Sequence, residues 1–233
     1  MRTLTLSLAA ALMLAGCADT TEIDNKPAAT VEPATPAAMK EKAPEAPAAA
    51  KVADPEAAEL PADGETWNAD KDASSIGFLG AKVTATHAGG FTDWTGNAVT
   101  QDGKLTFVKF VVDMNSLWAE EKEPAEGSPA YKLTGHLKSP DFFNVEKNPN
   151  AAFASTSIEA GEGNQVTVKG NLKMAGQVNA VSFPATVEMT DGKLTAKSDF
   201  KINRKDWGIV YKGKPDDLIK DDVALNLDLT FTK

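Results

Sequence analysis

The sequence predicts an all-β fold, and three segments carry most of that prediction. Segments 165–174, 194–203 and 223–231 alternate apolar and polar residues with a period of two, the pattern of a half-buried strand. Turn sequences such as Asp102-Gly103 and Asp191-Gly192 separate neighbouring segments and favour tight hairpins. Short connections and a single apolar face indicate antiparallel pairing, with the polar face in water.

Five further segments bring the predicted number of strands to about eight: 76–86, 90–100, 104–114, 151–159 and 179–189. A sheet of this size must bury its apolar face, and closure on itself also removes its exposed edges. An eight-stranded barrel has an interior just wide enough for its own side chains or one small ligand. A two-sheet sandwich is the competing architecture. The aromatic residues and leucines of 131–143 predict a short helix that caps one mouth.

Residues 1–16 have the features of a secretory signal peptide. Arg2 precedes an apolar stretch that is too short to span a bilayer. The sequence Leu14-Ala15-Gly16-Cys17 resembles the bacterial lipobox, in which a peptidase cuts before the cysteine and acyl chains such as palmitate are attached to it. The alternative is an ordinary secretory signal that happens to contain a cysteine. Cys17 is the only cysteine of the chain, so its acylation would leave no thiol for a disulfide. We therefore expect a lipoprotein anchored through Cys17.

Residues 17–66 are predicted to be the lipidated cysteine and a disordered tether. Residues 18–66 contain fifteen alanines, seven prolines and no Phe, Trp or Tyr, too little apolar surface to offset the entropy of ordering. Ala18 rather than Asp follows the cysteine, which favours the outer membrane over the inner one. We expect a domain held in the cell envelope and facing the periplasm.

The folded domain is predicted to cover residues 67–233, which contain every aromatic residue of the chain. The sequence shows no basic patch of the kind that phosphate backbones require, so we expect no nucleic-acid partner. It also shows no metal-ligand spacing and no catalytic motif, so we expect no metal and no enzyme activity.

A set of ordered motifs in this domain resembles the YceI-like family of lipid-binding proteins. The central one is 135–145, GHLKSPDFFNV, followed by Asn148-Pro149 and by 152–156. The other motifs occur in the family's order and extend the match over essentially all of 67–233: Ser75-Ile76-Gly77-Phe78, 89–96, Gly170-Asn171-Leu172, Val181-Ser182-Phe183-Pro184, 203–209 and Asp222-Val223.

This resemblance implies an extended, lipocalin-like, eight-stranded antiparallel barrel with a short helical cap and no cofactor. Its interior would hold the apolar chain of a polyisoprenoid or fatty-acyl lipid, and a homodimer is compatible with the sequence. Small inward residues alternate with large ones, which leaves either a packed core or a narrow tunnel. The residues that we expect to contact the ligand are Phe78, Phe91, Trp94, Phe110, Trp118, Leu133, His136, Leu137, Phe142, Phe143, Phe153, Phe183, Ser198, Phe200 and Ile202.

Several assignments stay open in the sequence. His136 either donates a hydrogen bond to a ligand headgroup or fixes the cap to the barrel wall. Arg204 and Asp206 either hold a headgroup or form an ion pair that closes the barrel end. An acidic loop at 119–129 and a longer connection at 212–217 depart from the family pattern and leave the shape of the mouth undefined. A β-sandwich carbohydrate hydrolase and a ligand-free structural lipoprotein are the alternative functions.

Overall fold

The computed structural model describes residues 21–33, 53–190 and 192–233. The predicted signal peptide, Cys17, the middle of the predicted tether and Asp191 lie outside the described residues. Two helices are α1 (Thr21–Asp24) and α2 (Pro129–Lys138). The strands in chain order are β1 (Thr30–Pro33), β2 (Glu65–Ala69), β3 (Ser75–Lys82), β4 (Ala85–Phe91), β5 (Trp94–Gln101), β6 (Lys104–Asp113), β7 (Leu117–Ala119), β8 (Asn150–Ala160), β9 (Gln165–Met174), β10 (Gln177–Thr190), β11 (Lys193–Asn203), β12 (Gly213–Lys214), β13 (Asp217–Leu218) and β14 (Asp222–Thr232).

Eight strands close into a ring in the order β2, β5, β6, β8, β9, β10, β11 and β14, and β14 pairs back with β2. Every pairing in this ring is antiparallel, which confirms the predicted antiparallel barrel. One predicted strand, 76–86, is in fact the two strands β3 and β4 with a turn at Val83 and Thr84. That hairpin pairs with β14 beside β2.

The hairpin turns follow from residues that tolerate a positive φ. Asp102 and Gly103 have φ values of 49° and 71°, and Ala175 and Gly176 have values of 48° and 79°. Two successive residues of positive φ form the type I′ turn whose twist matches that of the flanking strands. These turns fix the register of β5 with β6 and of β9 with β10, and therefore which side chains face inward.

The two ends of the barrel differ. At one end, which we call the closed end, Trp67, Leu194 and Phe231 are buried in the core and fill the space between the strands. The indole N–H of Trp67 donates a hydrogen bond to Thr100 Oγ1 at 2.9 Å, so this polar group stays satisfied inside the core. The opposite end, which we call the mouth, is surrounded by the β3–β4 turn, by α2 and by the segment 208–220.

The N-terminal segment 21–33 fills a gap in the barrel wall. β10 and β11 pair only between 186–190 and 193–197, and they separate toward the mouth. β1 lies in that gap and pairs antiparallel with β10, with Thr30 opposite Ser182, while Ala28 bridges to Lys201 of β11. The prediction of a disordered tether therefore does not hold for this segment.

The physical reason is a short alternating pattern within the alanine- and proline-rich stretch. Ala29 and Val31 pack against the barrel core, and Thr30 and Glu32 are exposed. Two inward side chains give little apolar burial by themselves, and the edges of β10 and β11 supply the hydrogen bonds that order the strand.

A second part of the predicted tether, 53–58, covers the outer surface of β9. Lys173 forms ion pairs with Asp54 at 2.8 Å and with Glu56 at 2.9 Å, and Asn171 donates a hydrogen bond to the carbonyl of Ala53. The hydrogen bonds from Lys173 hold the pKa of both carboxyl groups below their ordinary values. This explains why Asn171, which the alternation places on the outer face, is buried.

We expect Val31→Asp to destabilise the protein, because it places a carboxylate against the apolar core of the barrel. The free energy of unfolding should fall by about 1–3 kcal/mol, measured by thermal unfolding of the full mature chain. Thr30→Asp is the matched control, since the same side chain at the neighbouring exposed position should change stability by less than about 0.5 kcal/mol. Equal effects of the two substitutions would show that β1 does not belong to the wall.

Candidate functional site

An apolar cavity of about 140 Å³ lies inside the barrel. Side chains of β6, β8, β9, β10, β11 and β14 line it. Among the described residues, Lys197 and Ser198 are the polar members of that lining. A cavity walled by aliphatic and aromatic groups gives water almost no hydrogen-bond partners, so it favours an apolar occupant.

Glycines on the inner face leave room for aromatic rings to lie along the wall. Gly96 stands directly opposite Phe110, and a Cβ atom at Gly96 would lie 2.5 Å from Phe110 Cδ1. A Cβ atom at Gly170 would lie 2.5 Å from Phe153 Cζ, and Phe78 covers Gly89 in the same way. Each ring therefore occupies the space that a neighbouring side chain would otherwise fill. This arrangement keeps large aromatic residues out of the centre of the barrel.

Three phenylalanines, Phe153, Phe183 and Phe200, form a continuous apolar surface along the inner cavity. Phe183 stacks on Phe200 with ring centroids 4.2 Å apart and planes within 5°, and Phe153 packs against Phe183 at 5.5 Å. Contacts of this kind fix the ring orientations and give the cavity a defined shape.

A larger cavity of about 680 Å³ opens at the mouth. It meets the inner cavity at Phe91, Met174 and Leu225, which line both. The lower part of this cavity is apolar, with Phe78, Leu137 and other hydrophobic residues, and its rim carries the polar groups. The apolar inner cavity therefore lies directly next to a cavity with a polar opening.

His136 lies in the rim, near the end of α2. Its Nε2 atom is 3.1 Å from an Asp141 carboxylate oxygen. The imidazole ring stands nearly perpendicular to the rings of Phe142 and Tyr211, and its centroid lies 5.0 Å from each of theirs. The ring therefore connects the helix to the segment 208–220. A contact between His136 and a ligand headgroup stays a prediction.

Ion pairs hold the rest of the rim in place. Lys82 Nζ lies 2.5 Å from an Asp217 oxygen, and Thr84 also donates to Asp217. The hydrogen bond from Lys82 holds the pKa of Asp217 below its ordinary value. On β4, His87 Nδ1 lies 2.8 Å from Glu120. These contacts join the β3–β4 turn to its neighbours, so the opening has a defined outline.

The prediction of an ion pair between Arg204 and Asp206, one of the two alternatives, is wrong. Arg204 is buried and contacts Asp221 instead, at 3.3 Å. Its other donors reach the backbone carbonyls of Lys220 and Ile209. Burial lowers the pKa of Arg204, and Asp221 opposes that shift. Through these donors Arg204 fastens the segment 208–220 to the barrel. It also lines the mouth cavity, so a contact with a headgroup stays a prediction.

The structure brings thirteen of the fifteen predicted ligand contacts to one or both cavities. Six line the inner cavity: Phe91, Phe110, Phe153, Phe183, Ser198 and Phe200. Those at the mouth are Phe78, Phe91, Leu133, His136, Leu137, Phe142, Phe143 and Ile202.

Trp94 and Trp118 line neither cavity. Trp94 is buried in the core with its ring edge-on to Phe110 at 6.0 Å. Trp118 lies on β7 opposite Gly90, with the ammonium of Lys122 5.7 Å from its ring centroid. Both rings pack against protein, because β7 and the first residue of β5 lie outside the walls of the two cavities.

Other lining residues were not named from the sequence. Leu225 and Leu227 of β14 lie on the predicted inner face and could have been included on that signal. Tyr211 had no such signal, because it lies in an irregular segment whose path depends on Arg204 and on Asp217.

Within 21–33, 53–190 and 192–233, no group of three His, Cys, Asp or Glu side chains is placed to hold a metal ion. No helix in those same ranges has the length and apolar character needed to cross a bilayer.

Comparison with protein families matches residues 67–231 to the YceI-like domain. The chain belongs to the YceI-like family. A UPF0312 protein of Pseudomonas putida strain F1 is 30% identical over 145 residues, which cover 59% of this chain and 71% of that protein. Protein YceI of Salmonella arizonae is 38% identical over 79 residues, which cover 34% of this chain and 37% of that protein.

Solved structures share the fold of this YceI-like domain. The crystal structure of Burkholderia cenocepacia BcnA matches with a TM-score of 0.58 at 20% identity, over 70% of this chain and 98% of that one. A polyisoprenoid binding domain from Saccharophagus degradans, implicated in plant cell wall breakdown, matches with a TM-score of 0.56 at 16% identity. That match covers 71% of this chain and 97% of the other.

We expect Gly96→Ala to impair both stability and ligand binding, because the added methyl group must displace Phe110 toward the cavity. Overpacking of this kind costs about 1–3 kcal/mol. Thermal unfolding and titration with a fluorescent long-chain fatty acid measure the two effects. Gly135→Ala is the control, since no atom lies within 4 Å of its Cβ position and Gly135 lines neither cavity. Unchanged binding in Gly96→Ala would place the ligand away from Phe110.

Proposed function

We propose that this protein binds one long apolar chain, a polyisoprenoid or a fatty-acyl lipid, inside its barrel. The observation that carries the proposal is that the two cavities adjoin at Phe91, Met174 and Leu225, which line both. A ligand that occupies both must be elongated, apolar over most of its length and polar at one end. This is the general form of a single-chain lipid.

The dimensions of the barrel agree with an elongated ligand. β14 has 11 residues, which corresponds to a strand of about 37 Å at 3.4 Å per residue. Its inward side chains line the inner cavity at Leu227 and Leu229 and the mouth at Val223, so the ligand would follow the strand. The glycine–aromatic pairs keep this path open without leaving polar backbone exposed to the ligand.

The rim would hold the polar end of the ligand. His87, His136 and Tyr211 present nitrogen and hydroxyl groups at the larger cavity. Lys214 and Lys220 add positive charge, and Glu120 and Asp217 add negative charge. A rim of mixed sign suits a hydroxyl or a singly charged headgroup better than a multiply charged one, because each extra charge would meet repulsion as well as attraction.

We further propose that the protein is an envelope lipoprotein, anchored through acylated Cys17 to the outer membrane and facing the periplasm. Leu14-Ala15-Gly16-Cys17 supports the anchoring. More than one acyl chain gives stable membrane attachment, since each buried CH₂ contributes about 0.8 kcal/mol. Storage, transport or sequestration of the lipid would then take place at the membrane that anchors the protein.

The match to a polyisoprenoid binding domain supports the choice of ligand class.

We expect the full mature protein, purified from its native membranes, to release a long-chain isoprenoid or acyl compound on organic extraction, detected by mass spectrometry. Ala196→Trp should reduce the recovered amount several-fold, because Ala196 lines the inner cavity and an indole would fill the space of the ligand. Thr195→Trp, on the opposite face of β11, should retain the compound. Recovery of nothing from the wild type, together with no binding of added polyisoprenol or fatty acid, would contradict the proposed binding function.

Cys17→Ser should abolish incorporation of radiolabelled palmitate and move the protein from the membrane fraction to the soluble fraction. The reason is that the serine hydroxyl does not replace the cysteine sulfur as the attachment site. Cell fractionation and labelling measure the two outcomes, and Ser7→Ala within the signal peptide is the control that should leave both unchanged. Membrane association that survives Cys17→Ser would refute the lipoprotein assignment.

A further inference from the structure

Exposed apolar side chains cluster around the mouth. Among the described residues, the four most exposed large hydrophobic side chains are Val210 at 60%, Val83 at 54%, Leu218 at 49% and Tyr131 at 48%. Val83 lies beside Leu218, since its amide donates a hydrogen bond to the Leu218 carbonyl at 3.1 Å. Val210 precedes Tyr211, which lines the mouth. We call Val83, Val210 and Leu218 the apolar tips.

The N-terminal helix is fastened at the same end of the barrel. Ile23 is completely buried against Ala81 and Ala224, and Asp24 forms an ion pair with Lys220. Ala81 and Lys220 also line the mouth cavity. The first described residues of the chain therefore lie on the outer side of the wall whose inner side is the ligand cavity.

This placement limits where the membrane anchor can be. Thr21, where α1 begins, follows Cys17 by four residues. Four residues of fully extended chain span at most about 14 Å. An acyl group on Cys17 therefore enters the bilayer within that distance of α1, at the mouth end of the barrel.

We propose that the mouth docks on the surface of the lipid bilayer that anchors the chain, with the apolar tips in its interfacial layer. The proposal rests on the acylation of Cys17 and deepens the proposed lipid binding. A docked mouth lets a lipid pass between bilayer and cavity without crossing water. Residues 34–52 of the predicted tether come after β1, so they do not separate the anchor from the barrel.

Charge favours a neutral membrane surface for this contact. Near the tips, carboxylates offset the positive charges: Lys82 is paired with Asp217 and Lys220 with Asp24, and Lys214 lies two residues from Asp216 in the chain. The whole chain has a formal net charge of −9, which opposes approach to an anionic surface. Three side chains bury too little apolar area to hold a soluble protein on a membrane. They suffice once the anchor keeps the mouth at high effective concentration next to the bilayer.

The test uses the acylated full chain in phosphatidylcholine vesicles. Because acylation and the thioether consume the Cys17 sulfur, a cysteine introduced by Leu218→Cys is the sole thiol available for an environment-sensitive fluorophore. We expect a blue-shifted emission and several-fold stronger quenching by doxyl-labelled lipid than for Met189→Cys. Met189 is the matched control, an exposed apolar residue at the closed end with 37% exposure. Equal quenching at the two positions would overturn the docked orientation.

A second pair of variants tests the role of α1. Ile23→Asp, in the Leu218→Cys background, should release α1 from the wall and reduce the quenching at position 218 to the level of the control. Asn25→Asp, at an exposed position of the same segment, should leave the quenching unchanged. Quenching that survives Ile23→Asp would refute α1 as the element that orients the mouth.

The docked orientation can be tested separately from its two premises, which are the acylation of Cys17 and the binding of lipid in the barrel. Mass spectrometry that finds Cys17 without acyl chains would remove the anchor, and the docking proposal would fail with it. Acylated protein that binds lipid but shows no quenching at position 218 would refute docking alone. Quenching at position 218 in a protein that yields no lipid would refute the proposed cargo and leave the docking in place.

Discussion

The pairing of inward glycines with aromatic rings on adjacent strands is the interaction on which the site depends. In a closed eight-stranded ring, every second side chain points inward, and large residues at all of those positions would fill the interior. Because Gly96 and Gly170 have no side chain, the rings of Phe110 and Phe153 lie over them, along the wall. The aromatic surface stays buried and contributes to stability, while its rings lie along the wall. Stability and an open interior therefore arise from the same contacts.

The mouth is built on a different principle. Its loops contain few buried apolar residues of their own, and charged contacts fix them: Lys82 with Asp217, and Arg204 with Asp221 and several carbonyls. Arg204 matters most because it is buried, so leaving it unpaired would carry the full cost of a desolvated charge. The segment 208–220 thus has one defined position beside α2. The rim can therefore present His136 of α2 and Tyr211 of the segment 208–220 in a fixed arrangement.

Much of the barrel could be predicted from the sequence, because period-two alternation and type I′ turn residues act locally. The inner faces of β9, β11 and β14 and most of the expected ligand contacts follow from that alternation. β1 could not be predicted, since its pattern covers only Ala29 and Val31 and its hydrogen bonds come from strands far along the chain. The ion-pair partner of Arg204 and the position of Trp94 could not be predicted from the sequence either. Each depends on which residues the closed ring brings together, and spacing along the chain does not encode that.

The insertion of β1 between β10 and β11 has a consequence for the order of folding. During synthesis, residues 27–33 are made long before β10 and β11, the two strands with which they pair. The gap that they fill therefore does not exist until nearly the whole barrel has been synthesised. Loop closure over such a sequence distance is slow, and it has to follow the formation of the local hairpins. The barrel wall therefore becomes complete late, when residues 27–33 pair with β10 and β11. Before this step, the hairpins have formed but the barrel is still open along one side. In this open state the chain is most exposed to proteolysis.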